Sequence, residues 1–205
     1  MFTDIQKRLA EREPKPLGKQ RYFSVLLPII MVAGVPNLLY EVRSQHISQP
    51  GETSFPGGAV EAGETYEAAA IRETMEELNL PFDCIHILGE MDYIVSDQVV
   101  IRSFVAELKD VQLEDIVCNE EVEEVFAIPL DYLLTHKPTY YTVSTKLEHP
   151  ENFPYELIQG GEKYDWKSGH QAIAFYHLEN HQLWGYTAGL TARFIELLKL
   201  ENPIE

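Results

Sequence analysis

Six acidic side chains and a single arginine fall between Gly57 and Leu80, in the stretch GGAVEAGETYEAAAIRETMEELNL. Carboxylates at helical spacing repel one another and weaken the helix that carries them. A chain that keeps Glu73, Glu76 and Glu77 together must leave them in water or set something positive among them. The spacing predicts a helix from Thr65 to Leu78, ended by Asn79 and Pro81. At about 100° per residue, Ala68, Ile71, Met75 and Leu78 form one stripe suited to packing on a sheet. Glu73, Glu76 and Glu77, at i, i+3 and i+4, converge on another face. Hard divalent cations such as Mg2+ or Mn2+ prefer oxygen ligands, and Mg2+ keeps waters that a carboxylate can deprotonate. A solvated acidic face is the alternative reading of the same charges. The preceding Phe55-Pro56-Gly57-Gly58 permits a tight turn in which a bare carbonyl can approach a cation. Glu64, near the helix start, and Arg72, one turn before Glu76, are placed to brace loop and helix.

The rest of the chain reads as a mixture of strands and helices. Residues 3–13 fit a short appended helix capped by Thr3, with Ile5 and Leu9 one turn apart and Pro14 closing it. Two strands, 22–32 and 37–43, flank the breaker AGVP, and a Gly- and Pro-rich loop leads to the acidic helix. A strand pair over 85–95 and 99–108 comes next, followed by a strand and helix in FAIPLDYLL. An irregular excursion over about 137–170 holds a hairpin around Gly160-Gly161. QAIAFYHL reads as a late strand, and residues 186–200 as an amphipathic helix through Leu190, Phe194, Leu197 and Leu198. With 205 residues, 45% of them apolar, and no internal repeat or linker, one domain over 1–205 is expected.

The net charge of −17 opposes binding to the phosphate backbone of nucleic acid or to an anionic membrane surface. A small phosphorylated ligand remains compatible if metal ions or local cations offset the field. Cys84 and Cys118 form neither a disulfide framework nor a cysteine zinc motif, and no signal or membrane-spanning run is visible, so a reduced, cytoplasmic setting is expected. The sequence leaves oligomeric state open and is compatible with a homodimer.

Gly58, Glu64, Arg72, Glu73, Glu76, Glu77 and Leu80 stand in register with G-x5-E-x7-R-E-U-x-E-E-x-G-U, where U is aliphatic. The segment thereby resembles the box of the Nudix hydrolases. It departs at Thr74, an aliphatic position, and at Asn79, where the box has Gly; Asn also adopts the left-handed conformation of a helix end. The resemblance implies an α/β/α sandwich around a mixed β-sheet and metal-dependent hydrolysis of a nucleoside diphosphate linked to another group. It also implies Glu73 and Glu77 as metal ligands, with Glu76 a third ligand or the base. A further Glu from a later loop often joins such sites. Glu121 is the candidate, ahead of Glu120, with an exposed acidic loop as the alternative.

Upstream, Leu38-Leu39, Arg43-Ser44, Gly51 and Phe55-Pro56-Gly57-Gly58 resemble the signature of the coenzyme A diphosphatase branch, with altered spacing and Ser48 near the place of its second Arg. Coenzyme A or a derivative is the implied substrate, cleaved to 4′-phosphopantetheine and adenosine 3′,5′-bisphosphate. ADP-ribose, an NADH-type dinucleotide, or a nucleotide-sensing role without catalysis are the alternatives. Arg43, and after it Arg102, could offset substrate charge, a surface ion pair being the other reading of each. Gly57 and Gly58 would line the substrate side. His177 and His181 read as surface residues. Tyr140, Tyr141, Tyr155, Tyr164 and Trp166 could stack on a base or simply pack their segment down.

Overall fold

A computed structural model describes residues 1–12 and 14–199. Helix α1 (Phe2–Ala10) carries no buried residue. It starts one residue ahead of Thr3, with Met1 at the N-cap and no side-chain cap, so Thr3 lies within the first turn rather than capping it. The terminal ammonium instead meets Asp4 at 3.1 Å. The helix stops at Ala10, short of the expected residue 13, and Glu13 lies outside the described residues.

The main sheet is built on β1 (Arg21–Val32) and β2 (Val35–Arg43), joined by Ala33-Gly34. Both turn residues have positive φ, 50° and 78°, as a two-residue hairpin requires. The remaining strands of this sheet are β3 (Thr53–Ser54), β4 (Gly57–Ala59), β5 (Ile85–Glu90), β6 (Ile94–Val95), β7 (Val99–Leu108) and β8 (Val122–Pro129). Strand order is β3-β2-β1-β7-β5, with β4 added to β1, β6 to β7 and β8 to β2. β7 lies parallel to β1, while the other pairings are antiparallel, so the sheet is mixed.

β1 and β2 pair only from Ile29↔Leu38 to Val32↔Val35 and then part. Residues 53–59 wedge into the fork: β3 pairs with β2 through Glu41↔Ser54, and β4 pairs with β1 through Val25↔Gly57. Pro28 sits where β1 changes partner. Leu26 N–H, two residues earlier on the same edge, donates to Pro56 at 2.8 Å, so the donor that Pro28 lacks would have faced the fork.

Alternation along the strands separates two apolar layers. Leu26, Ile30 and Leu39 pack with Ala70 and Leu78 of α2 (Tyr66–Leu78). Leu27, Leu38 and Tyr40 pack with Leu133 of α3 (Leu130–Thr135) and with Leu190, Phe194 and Ile195 of α4 (Gly185–Lys199). Helices thus cover both faces, giving the α/β/α sandwich around a mixed sheet. Within α4, Leu198 is exposed while Ala188, Thr191 and Ala192 are buried, because small residues let the helix approach the sheet; Leu200 lies outside the described residues.

A second, three-stranded sheet holds β9 (Thr139–Thr145), β10 (Gly169–His177) and β11 (Gln182–Trp184) in the order β11-β10-β9. The excursion expected over 137–170 is therefore partly strand: β9 pairs with β10 from Thr139↔Phe175 to Thr145↔Gly169. Gly160-Gly161 joins two short 3-10 turns instead of forming a hairpin. Tyr155, Tyr164 and Trp166 gather with His149 and Phe153, with neighbouring ring centroids 4.4 to 5.9 Å apart, and hold the segment down. His181 is half-buried rather than free at the surface; it stacks 3.6 Å from Phe126 and meets Glu124 at 3.2 Å.

Both departures from the box are accommodated at α2. Thr74 is fully buried and its hydroxyl donates to Ala70 C=O at 2.8 Å, the back-bond open to a helical Thr. Asn79 takes the left-handed C-cap conformation, φ 48° and ψ 40°, and its amide donates to Val117 C=O at 2.7 Å. Asn79→Ala should destabilise the protein by about 2 kcal/mol, combining left-handed strain with a lost hydrogen bond. Asn79→Gly should cost about half as much; urea melts of the two variants check the difference.

Candidate active site

Thr65 begins α2 by accepting the Ala68 N–H at 3.1 Å. The helix lies on its sheet turned by about one residue from the expected stripe: Ala70, Thr74, Glu77 and Leu78 are buried, whereas Ala68 is exposed. The wedge of residues 53–59 causes the shift, because α2 packs against β4 as well as β1 and β7. Glu77 is consequently on the buried side, only 3% exposed, and not on an open carboxylate face. Its Oε2 accepts the Gly57 N–H at 2.9 Å.

Arg72 organises the outer half of the site. Its Nε and Nη2 engage both oxygens of Glu64, at 2.9 and 3.1 Å, and Nη2 also reaches Ala59 C=O at 3.1 Å. Nη1 donates to Glu73 at 2.8 Å and to Glu76 at 3.4 Å. Glu64 accepts from Glu61 N–H at 3.0 Å as well, tying the loop to the helix start. The hydrogen bonds that Arg72 donates hold the Glu64 carboxyl below its ordinary range, and those it gives to Glu64 first and Glu73 second raise Arg72 itself. Glu76 stands exposed at the rim.

The two glycines are required by close approach. A Cβ on Gly58 would stand 2.2 Å from the Glu73 carboxylate. One on Gly57 would stand 2.3 Å from Ser24 C=O.

Glu121 belongs to a loop pinned to the end of α2. Asn119 N–H donates to Glu77 C=O at 2.9 Å, the Asn119 side chain accepts Glu121 N–H at 2.8 Å, and Glu121 C=O accepts Ser44 N–H at 2.8 Å. Glu121 is exposed, and its charge contributes to raising the carboxyls of Glu41, Glu73 and Glu77.

The arginines expected to meet substrate are otherwise engaged. Arg43 Nε donates to Ser48 C=O at 2.9 Å, and Nη2 reaches the Ser48 hydroxyl at 3.4 Å, bracing the loop after β2. Arg102 pairs with Glu90 and lies over the rings of Tyr66, 4.9 Å away, and Tyr93, 5.8 Å away. Tyr66 opens α2, about two turns ahead of Glu73.

Glu41 and Ser54 are the residues that sequence reasoning missed. Glu41 is 1% exposed in the middle of β2, its Oε1 accepting from the Ser54 hydroxyl at 2.8 Å. Its Oε2 is buried and has no hydrogen-bond partner among the described residues. The available signal was a lone acid inside the apolar run LLYEV.

Among the described residues, no three ligand-type side chains already stand close enough to enclose an ion; Arg72 bridges Glu73 and Glu76. The chemistry of the donor set nevertheless fits a hard divalent cation: the donors are carboxylate oxygens, and one of them is buried without a partner. Burial, aided by mutual repulsion, pushes Glu77 up to about 9 and Glu41 up to about 7, and the two protons belong to the pair rather than to either residue. Burial also raises Glu73, against the opposing pull of Arg72. The folded protein thus holds protons that the unfolded chain releases near pH 4.5. Stability of the metal-free protein should fall as pH rises from about 4.5 through about 7 to about 9. Glu77→Gln should flatten that fall, as urea melts across the range would show.

Comparisons with known proteins agree with this geometry. The NUDIX domain family model matches residues 34–147. The chain is similar to the human mitochondrial coenzyme A diphosphatase NUDT8, 33% identical over 180 residues, covering 85% of this chain and 68% of that protein. It is also similar to Nudix hydrolase 3 of Caenorhabditis elegans, 29% identical over 185 residues, covering 88% and 73%. A crystal structure of a MutT/nudix family protein from Enterococcus faecalis shares the fold with a TM-score of 0.52 at 15% identity, over 97% of this chain and 70% of that one. Domain match, relatives and the braced glutamate box converge: the chain belongs to the Nudix hydrolases, enzymes that act on phosphoanhydride bonds.

Proposed function

We propose that this protein hydrolyses coenzyme A or a derivative to 4′-phosphopantetheine and adenosine 3′,5′-bisphosphate, using Mg2+ or Mn2+. The observation that carries the reading is the set of Glu73, Glu76, Glu77 and Glu121 around a fixed loop, two of them raised by burial, with Arg72 the only cationic side chain paired with any of them among the described residues. The coenzyme A assignment draws its support from similarity to proteins named coenzyme A diphosphatases. Nudix hydrolases generally use divalent metal ions; here Glu73 and Glu77, with Glu76, would hold them.

A divalent cation held by these residues would supply charge neutralisation at the diphosphate and lower the pKa of a water. The chain supplies position and a proton acceptor. Gly57 N–H fixes Glu77, and Gly58 leaves room for Glu73. Arg72 keeps Glu73 and Glu76 aligned along one side of α2. A water oxygen bonds to one phosphorus while the bridging P–O bond breaks. Glu76, exposed at the rim, takes the water proton, with the exposed Glu121 as the alternative acceptor. Arg43, spent on Ser48, would contribute charge to the ligand only by turning from that loop.

In this reading residues 1–205 act as one Nudix domain on a small nucleotide, without nucleic acid or membrane, as a monomer or homodimer in the cytoplasm. Among the described residues, no helix is long and apolar enough to cross a membrane. The human relative is named as mitochondrial, so fractionation of cells expressing the protein bears on the setting.

Purified protein assayed with Mg2+ or Mn2+ against coenzyme A, ADP-ribose and NADH should release 4′-phosphopantetheine fastest. Preference for ADP-ribose or NADH would move the substrate assignment, and ligand binding without turnover would favour the sensing alternative. Glu77→Gln should cut kcat by roughly 10³-fold, the scale of losing a group that acts in the transition state. Because Gln can keep the Gly57 contact, its fold should survive. Gly58→Ala should lower turnover with little change in melting temperature, since the added methyl meets the movable end of Glu73 rather than backbone.

A further inference from the structure

We infer that Glu41 is an additional ligand of the divalent cation, presented from strand β2 opposite the carboxylates of helix α2. The inference rests on the metal-dependent reading above.

A carboxylate withdrawn from water costs several kcal/mol unless it is hydrogen-bonded or paired. Glu41 has only half of that compensation: Ser54 donates to Oε1, while the buried Oε2 is without a partner among the described residues. Buried polar atoms of this kind call for an unseen water or ion. A proton on Oε2 removes the charge but leaves an O–H without an acceptor in the same place, so it completes the balance only in part.

The aim of the side chain is set by the fold. Ser54 and Glu41 are direct partners in the β2–β3 pairing, so the hydrogen bond that orients the carboxylate belongs to the wedge that also delivers Gly57 to Glu77. Along β2, Leu39 packs under α2 and Tyr40 on the opposite face, so alternation turns Glu41 to the side of α2, the helix that carries Glu73 and Glu77. Arg43 lowers the Glu41 carboxyl through its charge, but its hydrogen bonds go to Ser48, and those of Arg72 to Glu64, Glu73 and Glu76, so Oε2 gains no donor from either. A cation shared by Glu41 and the helix carboxylates would satisfy Oε2 and relieve the repulsion between strand and helix.

Mn2+ binding to the full chain without substrate tests this, read from the electron paramagnetic resonance signal of free Mn2+ and from the metal-induced shift in melting temperature. Glu41→Gln should bind Mn2+ at least tenfold more weakly and lose most of the thermal shift, with an unchanged far-ultraviolet circular dichroism spectrum. Mn2+ affinity within twofold of the wild type would overturn the inference and leave the proposed function standing. If Glu41→Gln does not fold, Glu41→Asp keeps the charge but withdraws it by one methylene; weaker Mn2+ binding supports the inference and unchanged binding overturns it. A wild-type protein that binds no Mn2+ would overturn both this inference and the metal-dependent function.

Discussion

The parting of β1 and β2 after four paired residues is the constraint on which the site depends. Two central strands that separate expose backbone donors and acceptors that must be satisfied. Residues 53–59 do this by pairing with β2 on one side and β1 on the other. The short segment therefore serves as sheet and as a loop of the candidate site together. It turns α2, receives Glu77 on Gly57 N–H, makes room for Glu73 at Gly58 and orients Glu41 through Ser54.

Charge is the second organising force. A chain of net charge −17 concentrates several carboxylates in one cleft, two of them almost without solvent. Arg72 stabilises the outer part through Glu64, Glu73 and Glu76. The inner part, Glu77 and Glu41, has instead one backbone amide and one hydroxyl, so protons or a cation must complete the balance. That unfinished compensation is a stability cost placed where the proposed reaction needs an oxygen-rich site.

Much of the fold was legible. Alternating apolar strands and the capped acidic helix mark their own boundaries, and α2 departs from its expected start by one residue. The misreadings have local causes. Residues 137–170 carry Pro and Gly, which hid β9, a strand exposed along its length and stabilised by pairing with β10 rather than by burial. Thr3 was a good cap by type, but the chain begins its first turn before it. Ala68 and Ala70 are equivalent in composition, and only the wedge beside the helix decides which is buried.

The sequence by itself determined the chemistry on α2, because Gly58, Glu64, Arg72, Glu73, Glu76 and Glu77 lie within one loop and one helix, where spacing along the chain is spacing in the molecule. Their pairing through Arg72 follows from that short range. Tertiary structure alone decided that Glu77 is buried, that the Glu121 loop is pinned to the end of α2 by Asn119, and that Glu41 is buried on the α2 side of β2. These contacts join α2 to β2 and to the loop before β8, segments tens of residues apart. Their distances are set by how strands diverge and pair, which no local periodicity encodes.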